Sequence, residues 1–260
     1  TFTRKFNKPF DEVLIETMQE TTKYLCENIQ GCVLGYTQSD EITLILIDYK
    51  KLNSSAWFDY EVQKMCSIAA SMATMAFNRF FIKIADEHFA KELDTIDHKT
   101  KSDTEYFKIS GGIENKYAKY FDKAYEAMFD ARCFNIPKEE VTNLIYWRQL
   151  DASRNSIQMV GQANFSHKEL QNKSCNQIQD MLMEQKGINW NDLPTYQKRG
   201  SCCIKVWEDH EGFEPVKDND KEIGSIRCET RRSNWIIDKD IPIFKGDNRE
   251  YIDKLINVGE

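Results

Sequence analysis

Ser39-Asp40-Glu41 sets two carboxylates side by side at the mouth of a stretch that otherwise reads as buried strand. Taking a carboxylate out of water is costly unless a cation compensates it. A hard divalent ion such as Mg2+, which takes oxygen ligands and bridges to substrate phosphates, would do so. Turn chemistry and solubility explain an acidic pair at a strand end at least as simply. From the pair alone both readings stand.

A second polar set lies at helical spacing: Arg148, Asp151, Asn155, Gln158 and Gln162, with Arg154 alongside. It is either an exposed face with a local Asp151–Arg154 ion pair, worth little, or a wet surface turned toward a substrate. Lys198-Arg199 is a basic pair in a loop. His88 and His98 are isolated among charges and read as solvated rather than as metal ligands. The eight cysteines include no CxxC pair, which is poor spacing for structural zinc and reads as reduced thiols in apolar runs.

The elements that must position these groups follow from periodicity. Phe10 to Ile29 has helical spacing and stops at Gly31. Two short apolar runs within residues 31–48, divided by the Ser39-Asp40-Glu41 tip, read as a β-hairpin. Trp57 to Phe81 reads as a helix whose Met65, Met72 and Met75 fill the core. Lys83 to Tyr120 is highly charged, contains Gly111-Gly112, and reads as an insertion of one or two helical pieces outside the main core. Ala127 to Ile136 reads as a strand stopped by Pro137, followed by a long helix from Lys138 to Phe165. Ser174 to Lys186 is a helix capped by Ser174 or Asn172 and ended by Gly187. Gly200 to Trp207 reads as a strand and Ile223 to Ile237 as a further hairpin. Asp247 and Glu250 open a last helix running to about Val258.

The order is helix, strand, strand, helix, insertion, strand, helix. A strand before Thr1 would complete β-α-β-β-α-β, the split βαβ of a ferredoxin-like sheet. The expected class is α+β, with a polymerase-palm-like antiparallel sheet backed by helices. Residues 1–210 would form the palm-like part, with 83–120 inserted in it, and residues 211–260 an extension of the same domain. That architecture serves many metal-dependent nucleotidyl transferases, though a fold does not fix a function.

With 260 residues, 41% of them hydrophobic, the chain can bury a sizeable core. A net charge of −7 argues against a protein coated for nonspecific nucleic-acid binding and leaves room for a local basic groove. No signal-peptide pattern opens the sequence and no apolar stretch approaches the length of a membrane span, so no membrane partner is expected. The expected compartment is intracellular: the cytoplasm, or the mitochondrion in a eukaryote.

Several stretches, in order, resemble the tRNA-histidine guanylyltransferase superfamily of 3′-to-5′ polymerases. They are Gly35-Tyr36-Thr37-Gln38-Ser39-Asp40-Glu41, Phe129 through Pro137, Tyr146-Trp147-Arg148-Gln149, Asp151 through Gln158, Ser166-His167-Lys168-Glu169-Leu170, Trp190 through Pro194, and Lys198-Arg199-Gly200. Enzymes that add G to tRNA-histidine carry His-Ile-Asn-Asn-Leu-Tyr-Asn on the long helix. Ser153-Arg154-Asn155-Ser156-Ile157 stands in its place here, which is similar to the branch that rebuilds truncated tRNA 5′ ends by Watson–Crick pairing.

The resemblance implies that Asp40 binds two Mg2+ ions with support from Glu41. A second Asp ligand, in an Asp-Gly-x-x-Phe-His motif, is expected upstream of Thr1. It implies nucleotide contacts from Ser39, Lys8 and Lys64, base recognition at Asp11, and 5′-end handling by Arg154 and Asn155. Arg148, Lys198 and Arg199 would contact tRNA, where cations position without reading sequence. ATP, GTP and other nucleoside triphosphates would be substrates, tRNA the partner, and a homotetramer, as a dimer of dimers, the assembly. G addition to tRNA-histidine, a nucleotide cyclase on the same palm, and a noncatalytic tRNA binder are the competing readings.

Overall fold

The computed structural model describes residues 2–96, 103–218 and 221–257, with side chains at 2–96, 107–209 and 231–257. Its centre is the expected hairpin. β1 (Cys32–Gln38) and β2 (Glu41–Leu46) pair antiparallel, Gln38 opposite Glu41, through a two-residue turn at Ser39 and Asp40. β3 (Ser201–Asp218) pairs with the other side of β1, and β4 (Lys221–Asp238) with β3, giving the antiparallel order β2-β1-β3-β4. The chain is α+β, as its pattern implied.

Strand alternation divides the core into two layers. Leu34, Tyr36, Ile45 and Cys202 face α4 (Val141–Asn164) and α8 (Glu250–Ile256), packing on Val141, Ile145, Ile252 and Ile256. The opposite face carries α1 (Glu12–Asn28) and α2 (Val62–Asp94), with Leu25, Ile29 and Ala73 against Ile42, Leu44 and Leu46. Buried threonines suit α1 to that layer because their hydroxyls bond the preceding turn: Thr17 to the Val13 carbonyl at 2.6 Å, Thr21 to Thr17 at 2.7 Å and Thr22 to Met18 at 2.7 Å.

The segment read as an insertion outside the core is part of it. α2 continues to Asp94, and α3 (Asp103–Phe121) folds back on it, so that Ile84, Ala85, Ile113, Tyr117 and Tyr120 join Val13, Met18, Phe77 and Phe81 in one cluster. Gly111 and Gly112 sit inside α3 with open space where a Cβ would be. They are tolerated at about 1 kcal/mol each rather than ending the helix. By length and composition alone α2 could cross a membrane, contrary to the reading of the sequence; one side of it, Phe77, Phe81, Ile84 and Ala85, is buried in the core cluster. Met72 packs in the core, whereas Met75 is half exposed. His88 is half-buried rather than isolated in solvent: its ring nitrogen lies 2.9 Å from Glu16 of α1. His98 and the Cys228 side chain lie outside the described residues.

Ala127 to Ile136 is extended but is no strand. Two side chains of α2 take the place of a ladder partner. Asn78 donates to the Ala127 carbonyl at 2.9 Å and accepts from its N–H at 3.2 Å, and Thr74 accepts from the Phe129 N–H at 3.1 Å. Asn78→Ala would strand two buried backbone groups, so a loss of about 2–4 kcal/mol is expected, read as a lower urea midpoint at unchanged m-value.

The second expected hairpin is likewise absent, because Ile223 to Ile237 lies within the single strand β4. Gly200 to Trp207 is the start of a longer strand, β3. α6 (Cys175–Lys186) matches its signals, with a reciprocal Ser174–Gln177 capping box and Gly187 left-handed at φ 65°. α8 differs from expectation at its start: Asp247 lies in a preceding 3-10 turn, and Arg249 caps α8 without a side-chain bond.

Candidate active site

The end of the sheet where β1 meets β2 gathers most of the residues with chemical potential. Ser39 adopts φ 52° in the turn, a left-handed conformation costing a non-glycine residue roughly 1–2 kcal/mol, and the strand twist is what selects such a turn. Ser39, Asp40 and Glu41 are all exposed. Among the described residues Asp40 has no hydrogen-bond or ion-pair partner, so its carboxylate is available. Glu41 is engaged: Gln38 donates to its Oε2 at 2.9 Å and Arg148 lies 3.2 Å from the same oxygen. Both ends of that ion pair are partly solvated, so it is worth at most about 1 kcal/mol of stability, and its effect is to orient Glu41.

α4 brings Arg148 to the tip because Ile145, three residues earlier, is fully buried against β1 and fixes the helix's rotation. Gln149 locks the neighbouring turn. Its amide donates to the Pro242 carbonyl at 2.8 Å and accepts from the Phe244 N–H at 3.1 Å. Asp151 and Asn155 follow on the Arg148 side, bonded to each other at 3.2 Å. The ion pair imagined between Asp151 and Arg154 does not form, and Arg154 is exposed.

The third wall is α7 (Thr195–Arg199) with Gly200. The Tyr36 hydroxyl, buried under the hairpin, donates to the Arg199 carbonyl at 2.6 Å. Burial and the nearby Cys202, Asp151 and Glu41 push the tyrosine's pKa far up against the opposing pull of Arg148, keeping it a neutral donor. Gly200 has φ 82°, and a Cβ there would stand 2.5 Å from the Thr37 carbonyl oxygen. That close approach holds Lys198 and Arg199 beside the strand end leading to Ser39. Lys198 donates to the Asn191 carbonyl at 2.5 Å, and burial with the adjacent Arg199 lowers its pKa.

α1 starts at the same end, its Glu12 accepting from Gln197 at 2.6 Å. Exposed Lys8 precedes it. Asp11 is 4% exposed and fully used, accepting from the Asn7 N–H at 2.8 Å, the Leu14 N–H at 3.1 Å and the Tyr120 hydroxyl at 2.7 Å. It is the N-cap of α1. Lys64 is elsewhere. Ala73 packs on Leu25 and Ile29 while Phe77 and Phe81 pack on Val13 and Met18, so α2 carries Lys64 toward the far end of the sheet, where it lies over the Phe58 ring at 4.5 Å.

Tyr36, Gln38 and Gly200 belong to this site, though sequence reasoning assigned none of them a role. A lone tyrosine alternating inward on a strand, whose hydroxyl needs a buried partner, was the available signal. For a divalent cation, Asp40 and Glu41 supply the oxygen donors of this end. Among the described residues no group of three acidic, His or Cys side chains converges. Two carboxylates with waters and substrate phosphates fit Mg2+, which seldom takes an all-protein cage.

A sequence profile of the tRNA-histidine guanylyltransferase family matches residues 1–137. A protein of Acanthamoeba polyphaga mimivirus is 30% identical over 214 residues, 78% of this chain, and the chain spans 65% of that relative's length. A bacterial tRNA-histidine guanylyltransferase-like protein solved in complex with ATP is 37% identical, with a TM-score of 0.71 over 99% of this chain and 85% of the other. A second such structure, in complex with GTP, is 34% identical with a TM-score of 0.63, covering 99% and 84%. The profile takes in the whole hairpin with its acidic tip, and on that match the chain belongs to the tRNA-histidine guanylyltransferase family, a family of nucleotidyltransferases.

Proposed function

We propose that this protein adds nucleotides to the 5′ end of tRNA in the 3′-to-5′ direction, choosing each by pairing with the opposite strand. One observation carries the reading. A chain of net charge −7 gathers Arg148, Lys198, Arg199 and Lys8, from two helices and a lead-in loop, at the end of the sheet where the exposed Asp40 carboxylate sits. Cations around a free carboxylate suit a site that receives phosphate groups from both a nucleoside triphosphate and an RNA end.

In the proposed reaction ATP first adenylylates the tRNA 5′-monophosphate, releasing pyrophosphate. The incoming nucleotide's 3′-hydroxyl then attacks that phosphate and AMP leaves. Asp40 and Glu41 would hold Mg2+, two ions in the full site, whose chemistry is to neutralise charge on the attacking and leaving oxygens. Ser39 and Lys8 meet the triphosphate, and Arg148, released from Glu41, turns to phosphate. Lys198 and Arg199 hold the tRNA backbone. Asn155 and Arg154 lie farther along α4, where the 5′ end would be handled. Asp11, through its cap, fixes the start of α1 under Lys8. Assembly as a homotetramer, a dimer of dimers, belongs to the same proposal. The ATP and GTP held by the bacterial relatives support these nucleotides as substrates here.

The test uses full-length protein, Mg2+, ATP, the four nucleotides and a tRNA lacking its first 5′ nucleotide. The expected product is one residue longer, and its identity changes when the template base is changed. Addition of G alone, and to tRNA-histidine alone, would replace templated repair by G addition. Binding without extension would leave a noncatalytic tRNA binder.

A further inference from the structure

Cys66, in the second turn of α2, and Cys133, in the extended 127–136 segment, face each other with 3.6 Å between sulfurs, although 67 residues separate them in sequence. Both are half-buried and free. Cys133 also reaches the Val62 carbonyl oxygen at 3.8 Å, so its side chain is aimed at α2. A disulfide needs about 2.05 Å between sulfurs, an approach of roughly 1.5 Å from this contact. Among the described residues, Asn78 and Thr74 hold the segment's backbone at Ala127 and Phe129, and no strand pairs with the stretch that carries Cys133. The pair lies at the far end of the sheet from Asp40, and no step of the proposed nucleotidyl transfer uses it.

We propose that Cys66 and Cys133 form a reversible disulfide site, closed by a peroxide, that staples the start of α2 to the stretch leading into α4. One thiolate attacks the peroxide O–O bond and becomes a sulfenic acid as hydroxide leaves. The second thiolate attacks that sulfur, the S–S bond forms, and the sulfenic oxygen departs as hydroxide. The protons lost by the two thiols convert both hydroxides to water, and the two electrons lost by the sulfurs reduce the peroxide. Cys26, Cys202 and Cys203 are buried in the core and are built for packing instead.

Fully reduced protein treated with a few equivalents of hydrogen peroxide should lose the mass of two hydrogens. It should yield one peptide pair joined through Cys66 and Cys133, and regain both thiols with dithiothreitol. Cys66→Ser and Cys133→Ser should each abolish the linked pair and leave the other thiol open to alkylation, with circular dichroism confirming that each variant folds. Wild-type protein that keeps both thiols free, oxidises them to sulfinic acid without a link, or joins other cysteines or two chains would overturn the assignment.

Discussion

Asp40→Ala should lower nucleotide addition by at least about 10³-fold, the scale of losing a group that stabilises charge developing in the transition state. The same change should leave stability within about 0.5 kcal/mol of wild type, as for other exposed positions without special contacts. The two halves of that expectation rest on one fact: the Asp40 carboxylate is exposed and, among the described residues, touches nothing that folding requires. Glu41 differs because Gln38 and Arg148 already hold it. Its replacement therefore also frees Arg148, and the outcome mixes two effects. Asp40→Asn separates charge from shape. It keeps the size and the hydrogen-bonding capacity of the side chain and removes the negative charge a hard cation needs, so it should be nearly as inactive as the alanine variant. Extension assays at saturating nucleotide, with thermal melts on the same preparations, measure both halves. Retention of more than about a tenth of wild-type activity in either variant would remove Asp40 from the chemistry.

The carboxylate was legible in the sequence because its signal is local. Two apolar runs around Ser39-Asp40-Glu41 can hardly be anything but a hairpin, and adjacency puts both acids at its tip. The cap residues of α6 were legible for the same reason, since Ser174, Gln177 and Gly187 act within one helix. What failed was whatever needed a partner distant in sequence. Ala127 to Ile136 has strand composition, but its backbone partners are the Asn78 and Thr74 side chains, about fifty residues earlier. Residues 83–120 looked peripheral because charge and a glycine pair outweighed the spacing of Ile113, Tyr117 and Tyr120, which is helical and buried. Ile223 to Ile237 looked self-paired, yet Gly224 to Ile237 pairs with β3 residue by residue, and Ile223 sits at an irregularity of the same ladder. The basic wall of the site fell between these cases. Lys198 and Arg199 were visible as charges, but their place beside the hairpin is set by Gly200 and the register of β3 on β1, which no local pattern encodes.

That dependence makes Gly200→Ala the sharpest structural test of the site. At φ 82° a side chain is already disfavoured, and the new methyl would stand 2.5 Å from the Thr37 carbonyl oxygen and 2.9 Å from the Tyr36 hydroxyl. The first obstacle is backbone in the middle of the sheet, so it cannot rotate away. Thr37 pairs with Ser201, and Ser201 accepts a buried bond from Gln19 at 2.8 Å, so moving the start of β3 breaks contacts to both β1 and α1. The Tyr36 bond to the Arg199 carbonyl would go with them. A loss of about 3 kcal/mol or more is expected, in the range of overpacking with backbone strain. At this chain length it corresponds to a melting point lower by roughly 6–12 °C. Gly187→Ala is the control. Gly187 is also left-handed, at φ 65°, but nothing lies within 4 Å of the Cβ it would gain, so only the conformational cost of about 1 kcal/mol should appear. In the folded fraction of Gly200→Ala, displacement of Lys198 and Arg199 should weaken tRNA binding and leave the affinity for GTP near that of wild type, since Ser39, Asp40 and Lys8 stay in place. Equal melting points for the two alanine variants would mean that the approach of Gly200 to Thr37 does not hold the basic wall against the hairpin.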